Sequence, residues 1–195
     1  MGSRRLGRKR MFSLDKKGQS VELNSGPGIE DAIVEATQRR EGHQIITEIA
    51  VDLGTSKASI ISSGTGANGD RSPVGVDDAL AHVTQLTEAK FGIITEVRAV
   101  VTEAPAGGPV DLDLEFGNDT AGKSASGGAG TAPAGATSIM TALSAKGEDT
   151  SATYDANELS DKYLYICQGA NDTSAAFTAG KLIITLYGHV DVASI

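Results

Sequence analysis

The sequence has no tryptophan, one cysteine, three histidines and only 4% aromatic residues. Each shortage excludes some chemistry. The lone thiol, Cys167, cannot form an internal disulfide or contribute to a multi-cysteine metal site. Set in an apolar run, it reads as a small buried hydrophobe. The histidines, His43, His82 and His189, are far apart in sequence, with no HxH or HExxH spacing, and there is no GxSxG elbow. Neither a zinc-protease constellation nor a serine-hydrolase one can be built locally from such residues. No stretch approaches the roughly 18–20 uninterrupted apolar residues needed to span a bilayer, and no secretory apolar segment opens the chain. These features predict a soluble, unexported protein without a membrane partner. Met1-Gly2 begins like a myristoylation signal, but Leu6 stands where Ser or Thr is required.

What is present is glycine, 24 residues in 195, and an aliphatic rather than aromatic apolar fraction within a hydrophobic content of 39%. Such a chain is long enough for one sandwich-sized domain, with a core built from Ile, Val, Leu and Ala. Charge is unevenly placed. Seven of the 17 basic residues, Arg4, Arg5, Arg8, Lys9, Arg10, Lys16 and Lys17, precede residue 18, where only Asp15 opposes them. The remainder carries 10 basic and 24 acidic side chains, a net of −14. An acidic body repels nucleic acid, whereas a basic arm attracts polyanions or acidic protein surfaces.

Residues 1–42 read as an N-terminal arm outside the sheet core. After the turn Asn24-Ser25-Gly26-Pro27-Gly28, the apolar residues Ile29, Ala32, Ile33 and Ala36 fall at helical spacing and predict a short helix of two turns. From His43 the period becomes two. Ile45, Thr47, Ile49, Val51 and Leu53 share one strand face, while Val110, Leu112, Leu114 and Phe116 alternate with Asp111, Asp113 and Glu115, predicting a strand wet on one side. Further strands are predicted at 58–62, 79–87, 92–102, 138–145, 162–168 and 181–190, giving eight in all. Gly-rich or Asn/Asp/Ser-rich breaks separate them at 64–75, 105–109, 117–135, 147–155 and 169–180. Short strands with polar connections and no helical pattern between them predict an all-β domain over 43–195, an antiparallel β-sandwich of jelly-roll-like form.

Two patterns invite a nucleotide-binding reading. Gly117-Asn118-Asp119-Thr120-Ala121-Gly122-Lys123-Ser124 matches the phosphate-loop pattern literally. That pattern works by delivering backbone N–H groups at the start of a helix. Here Gly127, Gly128, Gly130 and Pro133 follow, and they cannot sustain one. Gly64-Thr65-Gly66-Ala67-Asn68-Gly69 matches the dinucleotide fingerprint, but three glycines at that spacing arise by chance about 0.3 times in so glycine-rich a chain. Pro73 and Gly75 interrupt the helix that should follow. Both segments therefore read as loops, and no cofactor is expected. The Asp111, Asp113 and Glu115 row lacks calcium-loop spacing and reads as a solvated face. No catalytic or metal-ligating residues are assigned.

Several segments together resemble small virion structural proteins of marine tailed phages: Arg4-Arg5-Leu6-Gly7-Arg8-Lys9-Arg10, Ile45-Ile46-Thr47-Glu48-Ile49-Ala50-Val51-Asp52-Leu53-Gly54, Gly92-Ile93-Ile94-Thr95-Glu96, Pro105-Ala106-Gly107-Gly108, Asp161-Lys162-Tyr163-Leu164-Tyr165 and Ala179-Gly180-Lys181-Leu182-Ile183-Ile184. The resemblance covers most of the chain and implies a capsid cement or decoration protein, not an enzyme. It further implies a homotrimer that is made in the host cytoplasm, resides in the virion and binds the major capsid protein and copies of itself. A phage tail or receptor-binding component is the alternative. The arm is the expected partner-binding element, through Arg4, Arg5, Leu6, Arg8, Lys9, Arg10, Met11 and Phe12. Apolar residues among the cations suit a protein neighbour better than specific nucleic acid, which would need a folded reading element.

Overall fold

The computed structural model describes residues 18–55, 57, 59–61, 72–108, 111–125, 130–141, 143–156, 158–169 and 175–190. Ten strands are formed among them: β1 (Gln19–Ser20), β2 (Ile33–Glu41), β3 (Gln44–Asp52), β4 (His82–Gln85), β5 (Ile93–Ala106), β6 (Leu112–Gly117), β7 (Thr137–Met140), β8 (Asp149–Thr153), β9 (Tyr163–Gln168) and β10 (Ala179–His189). A single helical turn, α1 (Glu88–Phe91), precedes β5. The strands make a six-stranded sheet in the order β1-β2-β3-β10-β5-β8 and a four-stranded sheet in the order β4-β9-β6-β7. Every strand pairing is antiparallel. The pairings are nested: β6 with β7, β5 with β8, β4 with β9, and β3 with β10. The chain is thus one long hairpin wound into two sheets, the all-β sandwich expected from the alternating pattern.

Aliphatic side chains from both sheets meet in one core. Ile49, Val51 and Leu53 at the end of β3, Val97, Ala99 and Val101 from β5, and Leu182, Ile184 and Leu186 from β10 face Leu112, Leu114, Phe116, Leu164 and Ile166 of the second sheet. The two faces deduced from alternation are buried as expected, with Ile45, Ile49, Val51 and Leu53 on one sheet and Leu112, Leu114 and Phe116 on the other. Val110, which begins the second series, lies outside the described residues.

Four expectations are corrected. The apolar spacing at Ile29–Ala36 does not produce a helix: a 3-10 turn at Glu30–Ala32 leads directly into β2. An isolated two-turn helix is unstable, whereas Ile33 and Thr37 are β-branched and gain a ladder with β3. Consequently the sheet starts before residue 43. Ile29, Ala32 and Ala36 belong to the core, and only residues 1–17 of the presumed arm fall outside the described residues. The segment 147–155, read as a break, contains β8, an edge strand of Thr, Ser and Ala that is alternately exposed. Finally, β6 has no wet face: Asp113 is 6% exposed and Glu115 1%. In the segment 58–62, Ile61 makes isolated bridges to Gly75 and Ala176, and residues 58 and 62 are outside the described set.

Candidate functional site

The burial of Asp113 and Glu115 follows from a layer of loops that alternation cannot reveal. Leu164 and Ile166 of β9 point into the core, so Tyr165 and Cys167 point to the opposite face, beside Glu115 and Asp113 respectively. The stretch after β6 crosses this face. A Cβ placed on Gly122 would lie 2.6 Å from the Tyr165 ring, and one on Gly117 would lie 2.5 Å from Pro133. The Tyr165 hydroxyl donates to the Asp119 carbonyl at 2.7 Å, and burial raises the phenol's pKa well above its ordinary value. On the other flank, the segment at residues 72–75 runs beside β9: Val74 N–H donates to the Ile166 carbonyl at 2.8 Å, and Gln168 N–H to the Ser72 carbonyl at 3.0 Å. Cys167, the one cysteine of the sequence, is fully buried, as its apolar setting implied.

Within this layer lies the phosphate-loop-like segment. Gly117 ends β6, but no helix follows among the described residues. Instead Lys123 and Thr131 exchange backbone hydrogen bonds at 2.9 Å in each direction, Ala81 N–H donates to the Gly122 carbonyl at 3.0 Å, and Asp78 N–H to the Ser124 carbonyl at 2.9 Å. The side chains are equally committed. The Asp119 carboxylate accepts from the N–H groups of Ala121 and Ala134 at 3.1 and 3.2 Å. Lys123 pairs with Asp78 at 3.1 Å, and the buried Ser124 hydroxyl donates to the Ile61 carbonyl at 3.2 Å. A phosphate cradle needs convergent, unoccupied N–H groups at a helix start. These residues are arranged as a small patch of isolated bridges, antiparallel at Lys123 and parallel at Ser124. The dinucleotide-like segment, residues 64–69, lies outside the described residues.

The acidic row converges without forming a metal cage. A Cβ on Gly169 would lie 2.8 Å from Asp113 Oδ1 and 2.9 Å from Asp111 Oδ1. Among the described residues no three His, Cys, Asp or Glu side chains are placed to hold a cation. Two of the histidines, His43 and His189, are exposed. His82 is 9% exposed on β4, with Nε2 donating to the Asn24 carbonyl at 3.1 Å and Nδ1 buried without a partner. The rings of Tyr163 and Tyr165 meet it edge-on.

Burial holds the His82 imidazole below its ordinary pKa of 6.5, and the Asn24 carbonyl opposes that shift only in part. A folded-state value below the unfolded one means that, as pH falls past about 6.5, the unfolded chain takes up a proton before the folded chain does. The contribution of His82 is therefore fully present above that pH and is lost on acidification. Urea melts at pH 7.5 and 5.5 should show a larger loss of stability for the parent than for His82→Gln. Equal losses in the two proteins would remove His82 as the source.

Two surface features carry no motif in the sequence. The outer face of the six-stranded sheet carries a row of Ala50, Ile183 and Val100 in register, flanked by ion pairs of Lys181 with Asp52 at 3.5 Å and Glu103 at 3.2 Å, Arg39 with Glu48 at 2.9 Å, and Arg98 with Asp149. The hydrogen-bonded Arg98 guanidinium holds the Asp149 carboxyl below the usual carboxylate range. The second feature is a groove of about 250 Å³ beside β2, lined by the apolar residues Val21, Leu23, Ile33 and Val34 and by Glu30 and Glu35. Residues 18–38 contain four carboxylates and no Lys or Arg. This is the one trace of the groove in the sequence. The candidate partner-binding residues Arg4, Arg5, Leu6, Arg8, Lys9, Arg10, Met11 and Phe12 lie outside the described residues.

Fold and surface together define an all-β sandwich with a third layer of loops over its smaller sheet. The chain matches no protein-family model, and no curated protein or solved structure is significantly similar to it.

Proposed function

We propose that this chain is a non-enzymatic virion structural protein, a capsid cement or decoration protein that stabilises a shell by binding its neighbours. One observation carries the reading: the residues that would mark an enzyme are used to hold the third layer in place. Gly122, Lys123 and Ser124 sit in a backbone ladder, Lys123 is paired with Asp78, and Ser124 is bonded to Ile61. The nested strand pairing agrees with it. Strands β3 to β10 pair as a rolled hairpin, which supports the jelly-roll reading, and jelly rolls are an architecture that capsid domains use. Fold by itself does not assign function. The charge distribution adds a means of attachment, because a segment with seven cations in 17 residues precedes a body of net charge −14.

In this reading the chain works in the virion as a homotrimer, its broad sheet faces and N-terminal segment lying against the major capsid protein and against other copies. Contacts repeated over a lattice offset the entropy of ordering an extended arm. The test is co-sedimentation with purified capsids over a salt series. Deleting residues 2–17 should leave the thermal melt unchanged and weaken capsid association at least tenfold. Added salt should weaken the full-length protein only partly, since Leu6, Met11 and Phe12 remain once charge attraction is screened. Unchanged binding by the truncated chain, or binding to naked DNA as tight as to capsids with a steep salt slope, overturns the proposal.

A further inference from the structure

We propose that β8 is a self-pairing edge, along which two copies of this chain join their six-stranded sheets about a two-fold axis. β8 ends the order β1-β2-β3-β10-β5-β8. Two hydrogen bonds just beyond its ends fix which way its backbone faces: Val101 N–H donates to the Glu148 carbonyl and Tyr154 N–H to the Thr95 carbonyl, both at 2.9 Å. Along an antiparallel strand, alternate residues turn their N–H and C=O groups to the same side. Residues 148, 150, 152 and 154 therefore bond toward β5, and Asp149, Ser151 and Thr153 present theirs outward. Among the described residues none of these outward groups has a hydrogen-bond partner. The other sheet edges are blunted. β1 is two residues long, the edge of β4 is taken by Gly26, whose N–H donates to the His82 carbonyl at 2.8 Å, and the register of β7 against β6 is broken. β8 keeps five residues in unbroken register with β5. It has no lysine, proline or bulge, the devices that keep an edge from pairing.

The occupant follows from the sequence of the strand, which is complementary to itself. In an antiparallel register centred on Ser151, Ser151 meets its own copy, Asp149 stands opposite Thr153 and Thr150 opposite Ala152. The outward residues then oppose outward residues, so three N–H groups from each copy make six main-chain hydrogen bonds across the axis. No like charges meet. Asp149 is the one charged residue of β8, and Arg98 of its own sheet already pairs with it. The remaining side chains are Thr, Ser and Ala, none of them large enough to obstruct a neighbouring strand. Pairing makes one sheet of twelve strands from two of six and continues the outer face, with its row of Ala50, Ile183 and Val100, from one copy to the next. A two-fold contact does not close a trimer. It is a second contact, joining one homotrimer to the next, and it needs neither a capsid nor residues 1–17.

The purified full-length chain suffices for the test. Sedimentation should show concentration-dependent pairing that added salt strengthens, because copies of net charge −8 repel one another at a distance. Ser151→Lys, at an exposed position, sets two ammonium groups against each other at the axis and should weaken pairing at least tenfold with an unchanged melt. Ser151→Pro should weaken it as much, since only an outward N–H is lost, whereas Ala152→Pro removes a bond to β5 and should lower the melt. Under oxidation Ser151→Cys should give a disulfide-linked dimer, because hydrogen-bonded antiparallel partners lie about 5.5 Å apart at Cα, within disulfide reach. Thr153→Cys should not, as its copy stands roughly 14 Å away along the strand. The parent, whose one cysteine is fully buried, is the control. A chain that neither associates nor crosslinks at position 151, or that crosslinks as readily at 153, overturns the proposal. So does association that salt weakens and both Ser151 variants leave intact, which would belong to residues 1–17 and leave the cement reading standing.

Discussion

Leu112→Ala is expected to lower the unfolding free energy by about 2–5 kcal/mol, the range for truncating a large aliphatic side chain in a core that cannot collapse. Leu112 begins β6, is 1% exposed, and lies in the cluster where the two sheets meet. Its site is held from several directions. β6 pairs with β9 through six residues, Leu112 to Gly117, and the Leu112 carbonyl accepts the Leu143 N–H at 2.8 Å. With β6 in an interior position of its sheet and a loop layer over the far face, the backbone has little freedom to move into the space left behind. Urea denaturation of parent and variant measures the difference. A value within about 0.5 kcal/mol, typical of surface changes, would mean that the register of β6 is wrong by one residue, which would turn every one of its side chains over.

Gly188→Ala is expected to be at least as damaging, at more than about 3 kcal/mol, because overpacking here meets backbone and not a flexible side chain. A Cβ at position 188 would stand 1.8 Å from the Phe91 carbonyl oxygen. The approach is mutual: α1 ends at Gly92 with φ +69°, and a Cβ there would lie 2.6 Å from the His189 carbonyl. Two glycines thus let the helical turn lie directly on β10, the strand that joins β3 to β5. The strand cannot shift without disturbing pairings on both sides. Gly42→Ala is the control, since its φ is +67° with nothing within 4 Å of the added carbon, and it should cost only the strain of a left-handed backbone, about 1–2 kcal/mol. If far-UV spectra and melts show Gly188→Ala as mild as Gly42→Ala, the contact between α1 and β10 is looser than described.

Much of the fold is legible in residue order because the information is local. Ile45, Ile49, Val51 and Leu53, and Leu112, Leu114 and Phe116, each repeat with the two-residue period of a strand, and a sheet that turns one apolar face to the core allows no other placement of them. β8 escaped notice because a Thr- and Ser-rich edge strand buries too little to leave an apolar pattern. β2 was hidden by coincidence, since Ile29, Ala32, Ile33 and Ala36 fit a helix, and only the ladder offered by β3 decided for a strand. The phosphate-loop-like segment could be discounted from its downstream glycines and proline, but its actual use could not be deduced. Lys123, Asp78 and Ser124 are brought together with Ile61 by pairings across 45 to 63 residues of sequence.

By itself the sequence determined the class of architecture, the composition of the core and the separation of a cationic N-terminal segment from an acidic body. All three follow from local periodicity and from counts that do not depend on conformation. Tertiary structure alone decided that Asp113 and Glu115 are buried, that β2 joins the sheet, and that a groove lined by apolar residues and carboxylates opens beside it. The physical reason is the same in each case. Whether a polar face meets water, or an edge meets a strand, depends on which distant loop or strand comes to lie against it, and the alternation of residues along one strand carries no record of that neighbour.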